Sequence, residues 1–104
     1  MADVINKDRF WEYIGKTVWA EWCGGRFDPE NGRLGETHIL FEINIEGLLI
    51  NDRPPLGTEG FRFHKDDGKW GNMPWEYYGV NMICFVEKPE EPYFKSWMPM
   101  MEGF

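Results

Sequence analysis

The amino-acid sequence predicts an α+β fold, in which a short N-terminal helix packs on a curved, mostly antiparallel sheet of five or six strands. Three observations support this class. Apolar residues recur at helical spacing near the N-terminus, whereas apolar and polar residues alternate along several later segments, as in strands. Tight-turn signals that contain glycine favour antiparallel neighbours. A small β-barrel is the alternative, and residues 1–104 are expected to form a single domain because this length supports one hydrophobic core.

The first predicted element is a helix of about two to three turns, too short to be stable without a sheet to lie on. Asn6 suits the N-cap position, where its side chain can accept a hydrogen bond from a main-chain amide. Phe10, Trp11 and Ile14 have the spacing of an apolar stripe, which we expect to face the sheet. Gly15 can end the helix in the left-handed conformation.

Two segments alternate clearly, residues 16–23 (KTVWAEWC) and residues 37–45 (THILFEINI). The glycine- and asparagine-rich residues 24–36 between them predict a long loop. Residues 46–47 (Glu-Gly) predict a two-residue hairpin turn, after which residues 48–52 return as a strand. The predicted apolar face of the two segments carries Val18, Ala20, Trp22, Ile39, Phe41, Ile43 and Ile45.

The second half of the chain begins with a predicted loop at residues 53–60, because two prolines cannot continue a sheet ladder. Residues 61–70 predict a tight hairpin with Gly68 at a position of positive φ, and the chain from there through Pro74 predicts a turn or bulge. The longest predicted strand covers residues 76–88. Its predicted core face consists of Tyr78, Val80, Met82 and Cys84.

The C-terminal segment, residues 91–104, is rich in aromatic residues and Met. A segment this apolar packs on its own sheet or on another subunit instead of extending into water. We therefore predict a homodimer that forms through the C-terminal aromatic and Met segment or through a sheet edge.

The chain is acidic, with a formal net charge of −7, and aromatic residues make up 17% of it. An acidic protein repels phosphate backbones, so direct nucleic-acid binding is disfavoured. Residues 1–16 lack the apolar region of a secretory signal, and no apolar run reaches transmembrane length. We therefore expect a cytoplasmic protein without membrane binding, in which Cys23 and Cys84 are free thiols.

Motifs for cofactors, metals or catalysis are sparse. His38 and His64 are the only histidines, and neither a zinc-binding spacing nor a phosphate-binding glycine loop is present, so no metal and no cofactor are expected. Cys23 lies beside two glycines and is a candidate nucleophile, although a thiol that packs as a small hydrophobe is the simpler interpretation. Glu21 and Glu42 could supply acid–base chemistry if they converge in an enclosed space, whereas on an open face both are solvated.

The strongest candidate site is a group of residues on the second face of the predicted strands, opposite the apolar one. It combines large rings with a few polar groups, as ligand pockets do, and rings beside carboxylates suit a flat or cationic ligand. The predicted ligand-binding residues are Trp19, Glu21, His38, Glu42, Arg62, His64, Tyr77 and Asn81. The alternative is that the C-terminal segment covers this face and makes it a second core.

Three functions are compatible with these features. The preferred one is a small, acidic, non-enzymatic binding protein that holds a small organic ligand, cationic or aromatic, on the aromatic-lined face. The second is a protein–protein inhibitor or immunity-type module that presents its acidic, aromatic surface to a basic partner. The third is a small acid–base enzyme with a Glu/His pair, drawn from Glu21, Glu42 and His38, with Cys23 as a further group.

Overall fold

The computed structural model describes residues 3–28, 32–50 and 59–94 and has an α+β architecture. Five antiparallel strands form one curved sheet that does not close into a barrel, in the order β4-β3-β2-β1-β5. This confirms the predicted fold class. The strands are β1 (Thr17–Asp28), β2 (Gly32–Leu49), β3 (Gly60–His64), β4 (Trp70–Pro74) and β5 (Met82–Phe85), and two short 3-10 helices cover Lys7–Tyr13 and Trp75–Tyr77.

The N-terminal helix is present where it was predicted, but it is a 3-10 helix and its apolar stripe is different. Residues three apart eclipse one another in this geometry. Phe10 is buried and Tyr13 packs against the same core, whereas Trp11 is 64% exposed and Ile14 is also exposed. The prediction that Trp11 and Ile14 face the sheet was therefore wrong, since it assumed the periodicity of an α-helix. Gly15 ends the helix with a φ of 84°, as predicted.

The hairpin of β1 and β2 is longer than predicted and replaces most of the loop expected at residues 24–36. β1 continues to Asp28 and β2 begins at Gly32, with a register shift between Arg26 and Phe27. Ladder hydrogen bonds are made by the main chain, so two strands already in register can continue pairing through glycines. The turn residues in this segment were therefore outweighed by pairing with the neighbouring strand.

The turn predicted at residues 46–47 is a bulge. β2 runs without interruption to Leu49, and its register against β3 shifts between Ile45 and Gly47, which makes Glu46 the extra residue. A bulge and a hairpin turn both use glycine and a residue without a ladder partner, so the local sequence does not separate them. The strand predicted at residues 48–52 is thus the end of β2 as far as Leu49, and residues 51–52 lie outside the described part.

The hairpin of β3 and β4 was predicted correctly. Lys65 N donates to Lys69 O (2.7 Å) across the turn, and Gly68 has a φ of 85°. The chain from Trp70 through Pro74, predicted as a turn or bulge, is instead strand β4. Of the preceding predicted loop, residues 53–58 lie outside the described residues.

The long strand predicted at residues 76–88 is broken into a 3-10 turn, a glycine turn and the short strand β5. Gly79 has a φ of 86°, which redirects the chain before β5, and Val80 is 63% exposed instead of buried. Tyr78, Met82 and Cys84 are buried as predicted. The alternation of apolar residues therefore identified most of the buried positions but not the turn between them.

The core lies on the first face of the sheet, beneath the N-terminal helix. Phe10 stacks on Phe61 with ring centroids 4.4 Å apart, and Trp75 and Tyr78 pack edge-on around Phe10. Contacts of this kind add to the burial of the rings themselves. The Tyr78 hydroxyl donates to Ile5 O (2.6 Å) and thereby ties the N-terminal segment to this core.

Candidate functional site

The second face of the sheet consists of two halves that differ in burial. Cross-strand partners point to the same side, so the pairing of Asn44 with His64 continues this face from β2 onto β3. We call one part the covered half; it comprises Trp19, Glu21, His38 and Leu40. We call the other part the open half; it comprises Glu42, Glu46, Arg62, His64 and Trp70.

A buried carboxylate lies at the centre of the covered half. Glu21 is 0% exposed and His38 is 2% exposed, and His38 Nε2 forms a hydrogen bond of 2.8 Å with Glu21 Oε2. Tyr93 N donates to Oε1 at 2.8 Å, and Phe94 N donates to Oε2 at 2.9 Å. Each carboxylate oxygen therefore accepts a hydrogen bond from the main chain, which compensates for the loss of water around a buried charge.

The segment that brings these amides to Glu21 is residues 86–94, which we call the strap. The Tyr93 ring packs edge-on against Phe85, with centroids 6.3 Å apart, and Lys88 Nζ lies 5.3 Å from the centroid of the Trp19 ring. The described start of the C-terminal segment thus covers Glu21, which agrees with the second-core alternative at this one position. Residues 95–104, which contain its Met-rich part, lie outside the described residues.

The open half carries a second Glu–His pair that is accessible to water. Glu46 Oε1 lies 3.0 Å from His64 Nδ1, and these side chains are 37% and 40% exposed. Glu46 Oε2 lies 2.9 Å from Arg62 Nε, a contact between opposite charges that lacks hydrogen-bond geometry. The Arg62 guanidinium lies 4.0 Å from the centroid of the Trp70 ring, a cation–π distance. Glu42 is exposed beside this cluster.

Tyr77 and Asn81, the remaining two predicted site residues, line a cleft whose described lining includes none of the other six. Asn81 Nδ2 donates to Cys23 O (3.0 Å), and Cys23 N donates to Asn81 O (2.7 Å). Asn81 N also donates to Tyr77 O (2.9 Å). These bonds attach the turn before β5 to the middle of β1 and fix the position of Asn81.

The cleft has a volume of about 330 Å³. We call it the Trp22–Tyr77 cleft; it is lined by Trp22, Asn72, Met73, Pro74, Tyr77 and Asn81. Sequence reasoning missed Trp22, because it lies on the predicted core face, and Asn72, because its segment was predicted as a turn. No local signal in the sequence identifies either residue, since the curvature of the sheet brings them together.

The described residues give no indication of a metal centre or of a membrane-spanning helix. Within the ranges given above, the His, Cys, Asp and Glu side chains form no group of three that could hold a metal ion. None of the helices in this part of the chain has the length and apolar character that crossing a bilayer requires. Cys23 is partly buried, and Cys84 is buried in the core.

No protein-family model, curated protein or solved structure matches this chain.

Proposed function

We propose that this protein binds a small organic ligand with a flat aromatic or cationic group in the Trp22–Tyr77 cleft, and that it catalyses no reaction on that ligand. The observation that carries the proposal is the meeting of an indole, a phenol and two carboxamides in one cleft, from Trp22, Tyr77, Asn72 and Asn81. Ligand sites in proteins typically combine apolar rings with a few polar groups of fixed position.

The composition of the cleft favours this class of ligand. The rings of Trp22 and Tyr77 offer π-faces, which attract cations and stack on flat groups. The carboxamide of Asn72 can both donate and accept hydrogen bonds, which suits a neutral polar substituent.

The acid–base alternative has less support from the same geometry. Glu21 and His38 form the Glu/His pair that it requires, but both are buried, and Glu21 is engaged by three hydrogen bonds. A general acid or base needs contact with the substrate. The described residues that line the Trp22–Tyr77 cleft include no carboxylate, imidazole or thiol.

A thermal-shift screen against flat aromatic and cationic compounds tests the proposal, because a ligand that binds only the folded state raises the melting temperature by mass action. Hits are then measured on Tyr77→Ala and on Asn72→Ala, with Trp70→Ala as the control, since Trp70 is an exposed ring outside the cleft. We expect a shift that depends on ligand concentration, that both cleft variants lose and that Trp70→Ala retains. A screen without hits, or hits that both cleft variants retain, would contradict the proposal.

A second candidate function, recognition of a basic protein partner, is favoured by the open half. Trp70 is 59% exposed and lies against Arg62, and Trp and Arg are enriched among residues that dominate binding energy at protein interfaces. The net charge of −7 favours a basic partner. In a binding assay on a panel of purified basic proteins, this function predicts that Trp70→Ala loses binding and that Tyr77→Ala retains it. The two variants therefore separate the two candidate functions.

A further inference from the structure

The hydrogen bonds of the hairpin of β3 and β4 determine which main-chain groups of β4 point away from β3. Lys65 N donates to Lys69 O (2.7 Å) beside the turn, and Trp75 N donates to Glu59 O (2.9 Å) at the far end. Both bonds continue the register in which β3 pairs with β4. Hydrogen-bonded and non-hydrogen-bonded pairs alternate along an antiparallel ladder. The residues of β4 that are bonded to β3 are therefore Gly71 and Met73.

The remaining residues of β4 direct their main-chain groups to the opposite side, which we call the outer edge of β4. They are Trp70, Asn72 and Pro74. β4 stands at one end of the strand order, and within the described residues no other strand pairs with its outer edge. Pro74 has no N–H to offer, and an edge is where a sheet accommodates proline. Trp70 and Asn72 therefore each present an N–H and a C=O to an added strand.

The Trp22–Tyr77 cleft runs along this outer edge. Asn72, Met73 and Pro74 are consecutive residues, and all three line the cleft. Because consecutive side chains of a strand point to opposite faces, a cleft that contacts three of them extends along an edge of the strand. β3 occupies the inner edge, so the cleft lies beside the outward groups of Asn72. Trp22 and Tyr77 line the same cleft from other elements.

The geometry of a strand edge specifies the chemistry of its partner. In a hydrogen-bonded antiparallel pair, the N–H and C=O of one residue are matched by the C=O and N–H of one residue opposite. A ligand that pairs with Asn72 in this way contains an amino-acid residue with an amide on each side. Ring faces attract cations, and the net charge of −7 favours a basic ligand further.

We propose that the ligand of the Trp22–Tyr77 cleft is an extended peptide with lysine or arginine side chains, which adds to the outer edge of β4 as a further strand. This inference rests on the proposed function, because it names the class of ligand that the cleft binds. Main-chain hydrogen bonds to Trp70 and Asn72 hold the peptide, and the rings of Trp22 and Tyr77 contact a basic side chain. Recognition of this kind takes its affinity from the main chain and its specificity from the side chains.

Amide hydrogen exchange, measured by NMR on the full chain, tests the added strand. In the chain without peptide, we expect the amides of Trp70 and Asn72 to exchange at least about tenfold faster than those of Gly71 and Met73. Gly71 and Met73 are matched controls, since they lie in the same strand and are bonded to β3. Saturation with the peptide acetyl-Val-Arg-Val-Arg-Val-amide should remove this difference. A difference that persists while the peptide is bound would overturn the proposal.

Peptides that are methylated at one main-chain nitrogen at a time give a second test, in which the protein is unchanged. Alternate amides of an added strand point towards β4. Methylation should therefore weaken binding by at least about tenfold at every second residue and leave it nearly unchanged at the residues between, as measured by calorimetry. Similar losses at successive residues would contradict an added strand. Replacement of both arginines by glutamine should also weaken binding, and an unchanged affinity would refute the basic side chain.

The same measurements on two variants separate this inference from the proposed function. Tyr77→Ala should weaken peptide binding, whereas Trp70→Ala keeps the main-chain amide and should retain it. If small aromatic or cationic compounds bind in the cleft but the peptide does not, the inference fails and the proposed function stands. If neither the compounds nor the peptide bind, both fail.

Discussion

The two halves of the second face contain the same pair of residue types at nearly the same distance. Glu21 and His38 in the covered half are 2.8 Å apart, and Glu46 and His64 in the open half are 3.0 Å apart. The first pair is buried, whereas the second is more than a third exposed. We therefore predict that burial, and not the pair itself, determines how much such a contact contributes to the free energy of unfolding.

The substitution of each glutamate by alanine tests this comparison directly, and it has the largest expected effect. Glu21→Ala removes the buried acceptor of two main-chain amides and the group that His38 Nε2 contacts, so we expect a loss of about 3–5 kcal/mol in the free energy of unfolding. Glu46→Ala removes a solvated contact, and we expect a loss of about 0–1 kcal/mol. Urea denaturation of both variants measures the difference. Similar losses in the two variants would show that burial by the strap does not control the energetics.

The comparison also shows what the sequence could and could not predict. Alternation placed Glu21 and His38 on one face of neighbouring strands, and the structure brings them into contact. The hydrogen bonds from the strap to Glu21 could not be predicted from the sequence. Their donors are the main-chain amides of Tyr93 and Phe94, and every residue except proline has such an amide.

The errors in the predicted fold have a related origin. The Gly68 turn was predicted because a positive φ in a tight hairpin depends on local sequence. The bulge at Glu46 and the continuation of β1 through Gly24 depend on which strand lies alongside, and that information is spread over the whole chain. The Trp22–Tyr77 cleft was missed for the same reason, since its residues come from separate elements.

Gly24 and Gly47 allow a second comparison, between a crowded and an open position, with a smaller expected effect. A Cβ at this position would lie 2.8 Å from Asn81 Nδ2 and 3.2 Å from the Trp22 ring, so Gly24→Ala has to displace the bond of Asn81 to Cys23. We expect a loss of about 1–3 kcal/mol, measured by urea denaturation.

The matched control for this prediction is Gly47→Ala. A Cβ at Gly47 meets nothing within 4 Å, so we expect a change of at most about 0.5 kcal/mol. If the cleft binds a ligand as proposed, Gly24→Ala should also weaken that binding, because Asn81 lines the cleft. Equal stability of the two alanine variants would show that Asn81 can move without cost.

The pH dependence of stability should likewise reflect buried groups more than exposed ones. Burial raises the pKa of the Cys84 thiol above its ordinary value of 9.0 and that of the Tyr78 hydroxyl above its ordinary value of 10.0. The folded state thus favours the neutral forms. Their contribution is complete below the ordinary pKa values, and it is lost as the pH rises above about 9 towards the raised values.

We therefore expect the free energy of unfolding to fall by up to about 1.4 kcal/mol per pH unit for each of these groups, once the pH exceeds its ordinary pKa. Urea denaturation at about pH 8 and about pH 10 measures the loss. Cys84→Ala should reduce it, since one of the two groups is then absent, whereas Trp70→Ala in the open half should leave it unchanged. A stability that stays constant over this range would contradict the assignment of these groups to the core.

The smallest expected effect is the coupling free energy between Arg62 and Trp70. It measures how much one contact of the open half contributes to the stability of the fold. The guanidinium lies 4.0 Å from the centroid of an indole ring that is 59% exposed, so water competes for the charge. A double-mutant cycle of Arg62→Ala and Trp70→Ala should give a coupling of about 0.5–1 kcal/mol. A coupling above this range would mean that the cluster is shielded from water and that the open half resembles the covered one. A coupling within it means that the exposed Trp70 ring contributes little to stability, which is compatible with the proposed role of Trp70 in contacting a partner.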